Sequence, residues 1–399
     1  MSQILSFNKR FYKSTARQIG TDIEQHPYFA STEDMVHARR PALPVYTLNP
    51  KKIEDTGAEF VNAFPGKTLF AVKTNPHPIA IANLYKGGVH AFDVASAEEM
   101  RLVRKVAPKA ELYFMHPIKA PEAIREAYYE HGVRNFVLDH ADELAKILRE
   151  TNNANDLNLF VRLGLPKNEN ASIDLSAKFG ALPEMAIELL RACRVFCVKL
   201  GVAFHVGTQI SNAAAYANAI NIVRGVIERS GVRVDAIDIG GGFPVPYEDE
   251  DVPSIHTCID VVRTALQCAR LDHMELLAEP GRAMVAQSGS LVVRVEARRG
   301  SRLYINDGTY GGLFDAGKWL NTRFPVQAIR AHGAFNDSLE SYSLAGPTCD
   351  SLDMMEGPFM LPTDIREGDW IEIKNTGAYS QSIRTNFNGF GACDLALIG

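Results

Sequence analysis

Lys73 ends the apolar run Leu69-Phe70-Ala71-Val72 and is followed at once by the turn formers Thr74, Asn75 and Pro76. An amine carried by a buried strand to its C-terminal end can attack a carbonyl, because desolvation and neighbouring groups tune its protonation. The same amine can also snorkel to solvent or pair with a carboxylate. In Asp238-Ile239-Gly240-Gly241-Gly242-Phe243-Pro244 a strand opens into three residues without side chains. Backbone N–H groups there can approach a bulky anion such as a phosphate, a tight turn being the alternative. Glu279-Pro280-Gly281-Arg282 offers a carboxylate that can take a proton from a heterocyclic nitrogen, beside a glycine and a guanidinium that can hold a phosphate. A structural Glu–Arg ion pair is the competing reading.

His205 closes Gly201-Val202-Ala203-Phe204 and precedes Gly207 and Thr208. Its ring can stack on a planar cofactor while Thr208 offers a hydroxyl to a phosphate, or it can be a core histidine satisfied by backbone. Asp93 and Glu99 fall across a strand end and the first turn of a helix, and Arg162 closes another apolar run. Cys349, in Gly346-Pro347-Thr348-Cys349-Asp350, sits among turn formers and acids, which singles it out from the other cysteines as a reactive thiol, with packing as the alternative. Tyr379, in the turn Asn375-Thr376-Gly377-Ala378-Tyr379-Ser380, can supply a phosphate hydroxyl. A lysine, a phosphate cradle, a base-facing carboxylate, a stacking histidine and a thiol together describe a site for an aldehyde-phosphate cofactor.

Other chemistries lack their residues. The cysteines at 193, 197, 258, 268, 349 and 393 have neither metal-ligand spacing nor the density of a disulfide scaffold, so no metal is expected. No Gly-x-Ser-x-Gly elbow is present, and the glycine-rich stretch lacks the Lys-Ser/Thr of a nucleotide loop. A formal charge of −5 gives no basic excess for nucleic acid. The N-terminus has no secretory apolar core and no run is long enough to cross a bilayer, which points to the cytoplasm and to no membrane partner.

The elements that must position these groups alternate in kind. Apolar strands are expected at Thr68–Val72, His90–Asp93, Glu111–Phe114, Asn135–Leu138, Leu157–Arg162, Lys199–His205, Ala236–Gly240 and Glu275–Ala278. Helical stretches lie between them, among them Pro78–Lys86, Ala97–Val106, Pro121–His131, Ala141–Arg149, Glu184–Ala192, Ala213–Ser230 and Ile255–Ala269. This α/β pattern fits a closed TIM-type (β/α)8 barrel over residues 41–282, whose loops converge on one mouth, with a doubly wound sheet as the alternative. After residue 283 the pattern turns to short strands and turn pairs such as Asn306-Asp307-Gly308, the mark of a mainly antiparallel β domain of barrel or sandwich type. Residues 1–40 are expected to complete it.

With these motifs in this order, the chain resembles the alanine-racemase-type, pyridoxal 5'-phosphate-dependent amino acid decarboxylases, which act on ornithine, diaminopimelate, arginine and related substrates. The motifs are Phe70-Ala71-Val72-Lys73, Phe92-Asp93-Val94-Ala95-Ser96 with Glu99, His205-Val206-Gly207, Asp238 to Pro244, Glu279 to Arg282, Gly346 to Asp350 and the segment around Tyr379. The resemblance covers nearly the whole chain. It implies that Lys73 carries pyridoxal phosphate as an imine, Glu279 pairs with the ring nitrogen, His205 stacks on the ring, and Cys349 of a neighbouring subunit protonates the α-carbon. A homodimer with shared sites follows.

For the substrate, the resemblance is nearest the ornithine enzymes, because Cys349-Asp350 keeps the Cys-Asp that presents an acid to a distal amine, where diaminopimelate enzymes usually have Cys-Glu. It implies ornithine converted to putrescine, with lysine also possible. Tyr310 lies in the matching Asn306-Asp307-Gly308-Thr309-Tyr310-Gly311, but the Tyr-Asp pair the family places shortly afterwards falls on Lys318-Trp319. Asp315 can supply the missing acid from a shifted loop, or Lys318 and Trp319 mark a different or modified diamino acid. A racemase on the same cofactor and a cofactor-binding carrier remain as alternatives.

Overall fold

The computed structural model describes residues 26–168, 171–173 and 178–399. Eight short strands close into a parallel barrel in the order Lys67–Ala71, Ala91–Val94, Glu111–Phe114, Asn135–Leu138, Asn158–Arg162, Lys199–Ala203, Ala236–Asp238 and Glu275–Ala278, the last pairing back to the first. These are the eight runs expected from their apolar content, with the first two shifted by one residue and three others trimmed by one or two at an end. Strands covered by helices outside and by side chains inside are apolar on both faces, which is why they read as continuous runs.

Leu69, Ala91, Tyr113, Val137, Phe160, Ala203, Ala236 and Leu277 fill the interior. Gly201 is required there, since a Cβ at that position would stand 2.2 Å from the Phe160 ring. At the N-terminal end of the barrel, Lys67 reaches Glu111 at 2.7 Å and Glu275 at 3.4 Å, and Lys199 also pairs with Glu275. That rim is tied by ion pairs, leaving the opposite end to carry the polar motifs.

The helices start where the chain supplies caps. Ser96 accepts the Glu99 N–H and Ser254 the Thr257 N–H, and Pro78 stands in the first turn of Pro78–Lys86. The stretch expected as one helix over Pro121–His131 divides into Pro121–Arg125 and a wider π turn at Glu126–Glu130. Pro50–Ala63, capped by the Asn49 side chain, is an additional helix packed against Pro78–Lys86, the helix that follows the first barrel strand.

A second, mixed sheet runs Tyr28–Phe29, Asp394–Ile398, Val45–Leu48, Gly289–Arg299, Arg302–Ile305, Leu339–Ala345 and Met354–Pro362, with Trp370–Ile373 and Val326–Ile329 added alongside Gly289–Arg299. Most of its pairings are antiparallel, but Asp394–Ile398 is parallel to both neighbours and Arg302–Ile305 is parallel to Leu339–Ala345. Val45–Leu48, with which the alternation of strand and helix begins, belongs to this sheet. It pairs with Gly289–Arg299, while the first barrel strand, expected at Thr68–Val72, is Lys67–Ala71. Of residues 1–40, those from 1 to 25 lie outside the described residues, while Tyr28–Phe29 joins the sheet edge. No helix among the described residues is long and apolar enough to cross a membrane.

Candidate active site

Lys73, Asp93, Arg162, His205, Gly240 and Glu279 all lie within two residues of the C-terminal end of a barrel strand, so the parallel order gathers them at one mouth. The strand Lys67–Ala71 runs into a single 3₁₀ turn, Val72–Thr74. Val72 and Thr74 are buried while the Lys73 side chain is 50% exposed, so the amine alone emerges into the mouth. Its Nζ lies 3.2 Å from Asp93 Oδ2, on a side chain only 3% exposed.

That contact sets the charge on the amine. Attraction to Asp93, supported by Tyr379 and Glu279, raises the Lys73 pKa and outweighs the opposing desolvation. Of the two influences expected on this amine, desolvation and neighbouring groups, the ion pair with Asp93 is the larger. Glu99, in the first turn of Ala97–Val106, accepts the Ala95 N–H at 2.7 Å. Burial pushes its carboxyl up to about 7.

Lys73 also acts on a buried pair of acids. Asp238 and Glu279 are buried, and one oxygen of each, Asp238 Oδ2 and Glu279 Oε1, has no hydrogen-bond partner. Burial, then Asp238 and Asp93, drive the Glu279 pKa well up. An unpartnered acceptor in a buried, acid-rich floor suits a heterocyclic N–H⁺, which would satisfy its lone pair and its charge together. His205 Nδ1 accepts the Gly207 N–H at 3.1 Å. Burial, with Arg162 and Lys73 nearby, holds the ring pKa far below the usual histidine value, so it presents a neutral flat face.

The glycines form a cradle. Gly240 and Gly242 adopt φ of +67° and +102°, and a Cβ on Gly241 would meet Glu279 O at 2.7 Å and His205 Nε2 at 3.1 Å. A Cβ on Gly281 would stand 2.2 Å from Thr74 Oγ1, itself buried and without a partner. Arg282 follows, its Nη1 donating to the Tyr247 hydroxyl at 2.9 Å and its guanidinium carbon 5.0 Å from the centre of the Tyr379 ring. Tyr379 is brought in by its own N–H, which donates to Thr74 O at 2.8 Å. Thr208 begins a short ribbon, Thr208–Ile210, paired with Ala171–Ile173. These residues can hold a phosphate, and the whole donor set fits pyridoxal phosphate: Lys73 for its aldehyde, Glu279 for its nitrogen, His205 for its face, and Gly281 with Arg282 for its phosphate.

Asp315 is buried, with Oδ2 2.8 Å from Arg282 Nη1. Its carboxylate, expected to meet a substrate ammonium, is thus paired with Arg282 within the chain. Lys318 and Trp319 are exposed on the following turn, Trp319 at 84%.

Cys349, Asp350 and Tyr310 gather in the second domain. The Tyr310 hydroxyl donates to Asp350 Oδ2 at 2.5 Å, and the Leu352 N–H donates to Oδ1 at 2.9 Å. These two donors, the backbone one first, hold the Asp350 carboxyl below the ordinary aspartate range. Cys349 is exposed. Among the described residues, no hydrogen bond or ion pair joins this group to Lys73.

Three buried polar residues were not legible in sequence as such. Thr74 and Tyr247 carry no local signal beyond their place in turns. Lys119 is fully buried, donating to Val137 O at 2.6 Å and pairing with Glu143 at 3.0 Å, and burial lowers its pKa to about 8. Its position after the strand Glu111–Phe114 was the available clue. No group of His, Cys, Asp and Glu among the described residues could hold a metal ion.

Residues 51–286 match the pyridoxal-binding domain of the pyridoxal-dependent decarboxylases. The decarboxylase flvG of Aspergillus flavus is 32% identical over 352 residues, 81% of this chain and 78% of that protein. A lysine/ornithine decarboxylase of Vibrio vulnificus complexed with cadaverine superposes with a TM-score of 0.78 at 30% identity, covering 93% of this chain and 100% of the other. An arginine decarboxylase of Paramecium bursaria Chlorella virus bound to agmatine gives 0.78 at 27% identity, over 90% and 98% of the two chains. Fold, donor set and family match agree: the chain is an enzyme of the pyridoxal phosphate-dependent amino acid decarboxylase family.

Proposed function

We propose that the enzyme removes the α-carboxylate of a basic L-amino acid, with L-ornithine to putrescine as the leading reaction and lysine as the next candidate. The observation that carries this reading is the Tyr310–Asp350 pair beside Cys349, an ionised acid with a fixed direction and available to a distal ammonium. The lysine/ornithine enzyme that this chain superposes on supports the same class.

Pyridoxal phosphate, when bound, supplies the electron sink that accepts the bonding pair as carbon dioxide leaves. In this reading Lys73 holds the aldehyde carbon, and Asp93 keeps its amine protonated when it is displaced. Glu279 keeps the ring nitrogen protonated, His205 covers one face and excludes water, and Gly240, Gly241, Gly242, Gly281, Arg282, Thr208 and Tyr379 fix the phosphate. The Cys349 thiol delivers a proton to the α-carbon. Since Cys349, Asp350 and Tyr310 have no bond to the Lys73 group within one chain, we place them in the site of a second copy, as a homodimer.

Asp315 lies against Arg282, and Lys318 and Trp319 stand where the related enzymes would place a tyrosine and an acid. That leaves Asp350 as the acid for the distal nitrogen, which favours, as a second reading, a diamino acid with a modified or less demanding amine. Carbon dioxide release with product identification across ornithine, lysine, arginine, diaminopimelate and their N-methylated forms tests both. Turnover of ornithine or lysine above the methylated forms supports the first. Preference for a methylated form supports the second, and release from none of them refutes the substrate class. Recovery of inverted amino acid without amine would make the enzyme a racemase.

A further inference from the structure

Arg282 and Asp315 come from different domains and are both more than nine-tenths buried, yet their contact is incomplete. The 2.8 Å approach of Asp315 Oδ2 to Arg282 Nη1 is an ion pair without a well-directed hydrogen bond, and Arg282 Nε has no partner at all. Nη1 is already shared with the Tyr247 hydroxyl at 2.9 Å. One edge of the guanidinium is therefore held by Asp315 and Tyr247, while Nε remains as an unspent donor on the residue that follows Gly281, whose Cα faces the unpartnered Thr74 hydroxyl.

We propose that Asp315 is a positioning residue that shares Arg282 with the cofactor phosphate and thereby limits how tightly the phosphate is held, an inference that rests on assigning Arg282 to that phosphate. Arg282 and Asp315 together carry no net charge, so a phosphate taken by Arg282 enters beside a second anion on the same guanidinium. Like-charge repulsion in a water-poor pocket is far stronger than in solution. Asp315 also heads the turn that carries Lys318 and Trp319, its carbonyl accepting the Thr322 N–H at 2.8 Å. The Arg282 contact and the anchor of that turn therefore fall on one residue, the first through its carboxylate and the second through its backbone carbonyl.

The test replaces charge while keeping shape. In Asp315→Asn the amide oxygen can still meet Nη1, but the competing anion is gone. Pyridoxal phosphate is expected to bind roughly tenfold more tightly. Pyridoxal, which lacks the phosphate, is expected to bind as it does to the wild type. Both affinities are read from cofactor absorbance during equilibrium dialysis of protein freed of cofactor. Without added cofactor, the variant's thermal midpoint should fall, because a buried guanidinium has lost its counter-ion. Asp315→Glu should return both affinities toward wild type, and Asp315→Ser repeats the charge removal should the Asn variant fold poorly.

A parallel change in both affinities means a merely structural role and overturns the proposal, as does weaker binding of pyridoxal phosphate. Unchanged cofactor binding with a raised KM for ornithine or lysine also overturns it and returns Asp315 to the substrate. Equal binding of pyridoxal and pyridoxal phosphate by the wild-type chain would instead overturn the assignment of Arg282.

Discussion

Replacing Glu99 by glutamine is expected to stabilise the protein above neutral pH and to change little in acid. The Glu99 carboxyl is held at about 7 against an ordinary value of 4.5, first by burial and then by the Asp93 carboxylate, with the Ala95 N–H and Lys73 opposing the rise. Since the folded value is the higher, the native state keeps a proton that the unfolded chain has already released. The stability this proton provides is complete below pH 4.5 and is lost as pH rises through about 7. The gap converts to about 3 kcal/mol at roughly 1.4 kcal/mol per pH unit, and partial solvent access reduces it to about 1–2 kcal/mol. Glutamine keeps an acceptor for the Ala95 N–H, now 2.7 Å from Glu99 Oε2, so the substitution removes the charge and little else. Denaturant unfolding of wild type and variant, freed of cofactor, at intervals from pH 4.5 to 8.5 reads the difference. A gain of the same size at both ends of that range refutes the argument, and so does a loss at pH 8.5.

Lys73→Ala should abolish both turnover and the visible absorbance of lysine-bound cofactor; an unchanged spectrum refutes the covalent role. Gly281→Ala places a Cβ 2.2 Å from Thr74 Oγ1 and should cost about 1–3 kcal/mol together with much of the phosphate affinity. Adding Thr74→Ala should recover part of that stability, and a purely additive loss in unfolding measurements would show that the clash is not the cause. Cys349→Ala should keep the cofactor bound while slowing turnover and altering product formation, so loss of cofactor absorbance on that substitution would misplace the thiol's role.

The barrel was legible because its strands are buried on both faces and so are written as apolar runs, and because helices such as Ala97–Val106 and Ile255–Ala269 carry their own caps. A polar residue just past such a run is a local feature, and the parallel order turns it into a position at the mouth. Lys73, Asp93, His205 and Glu279 could be chosen on that ground. What could not be read is which charged group each of them meets. Four buried residues at Val45–Leu48 say nothing of the sheet they join, and only the pairing with Gly289–Arg299 decides. The protonation of Lys73 depends on a 3.2 Å contact with Asp93, and that contact reverses the effect expected from desolvation. Asp315 shows the same limit across domains. Phe314 just before it and Lys318 and Trp319 just after are exposed, whereas its own side chain is buried against Arg282. An acid among such neighbours is naturally assigned to an incoming ammonium. A cation from another domain claims it first, because a buried guanidinium left without a counter-ion costs several kcal/mol, on the order of 3–5, and a substrate that comes and goes cannot offset that cost.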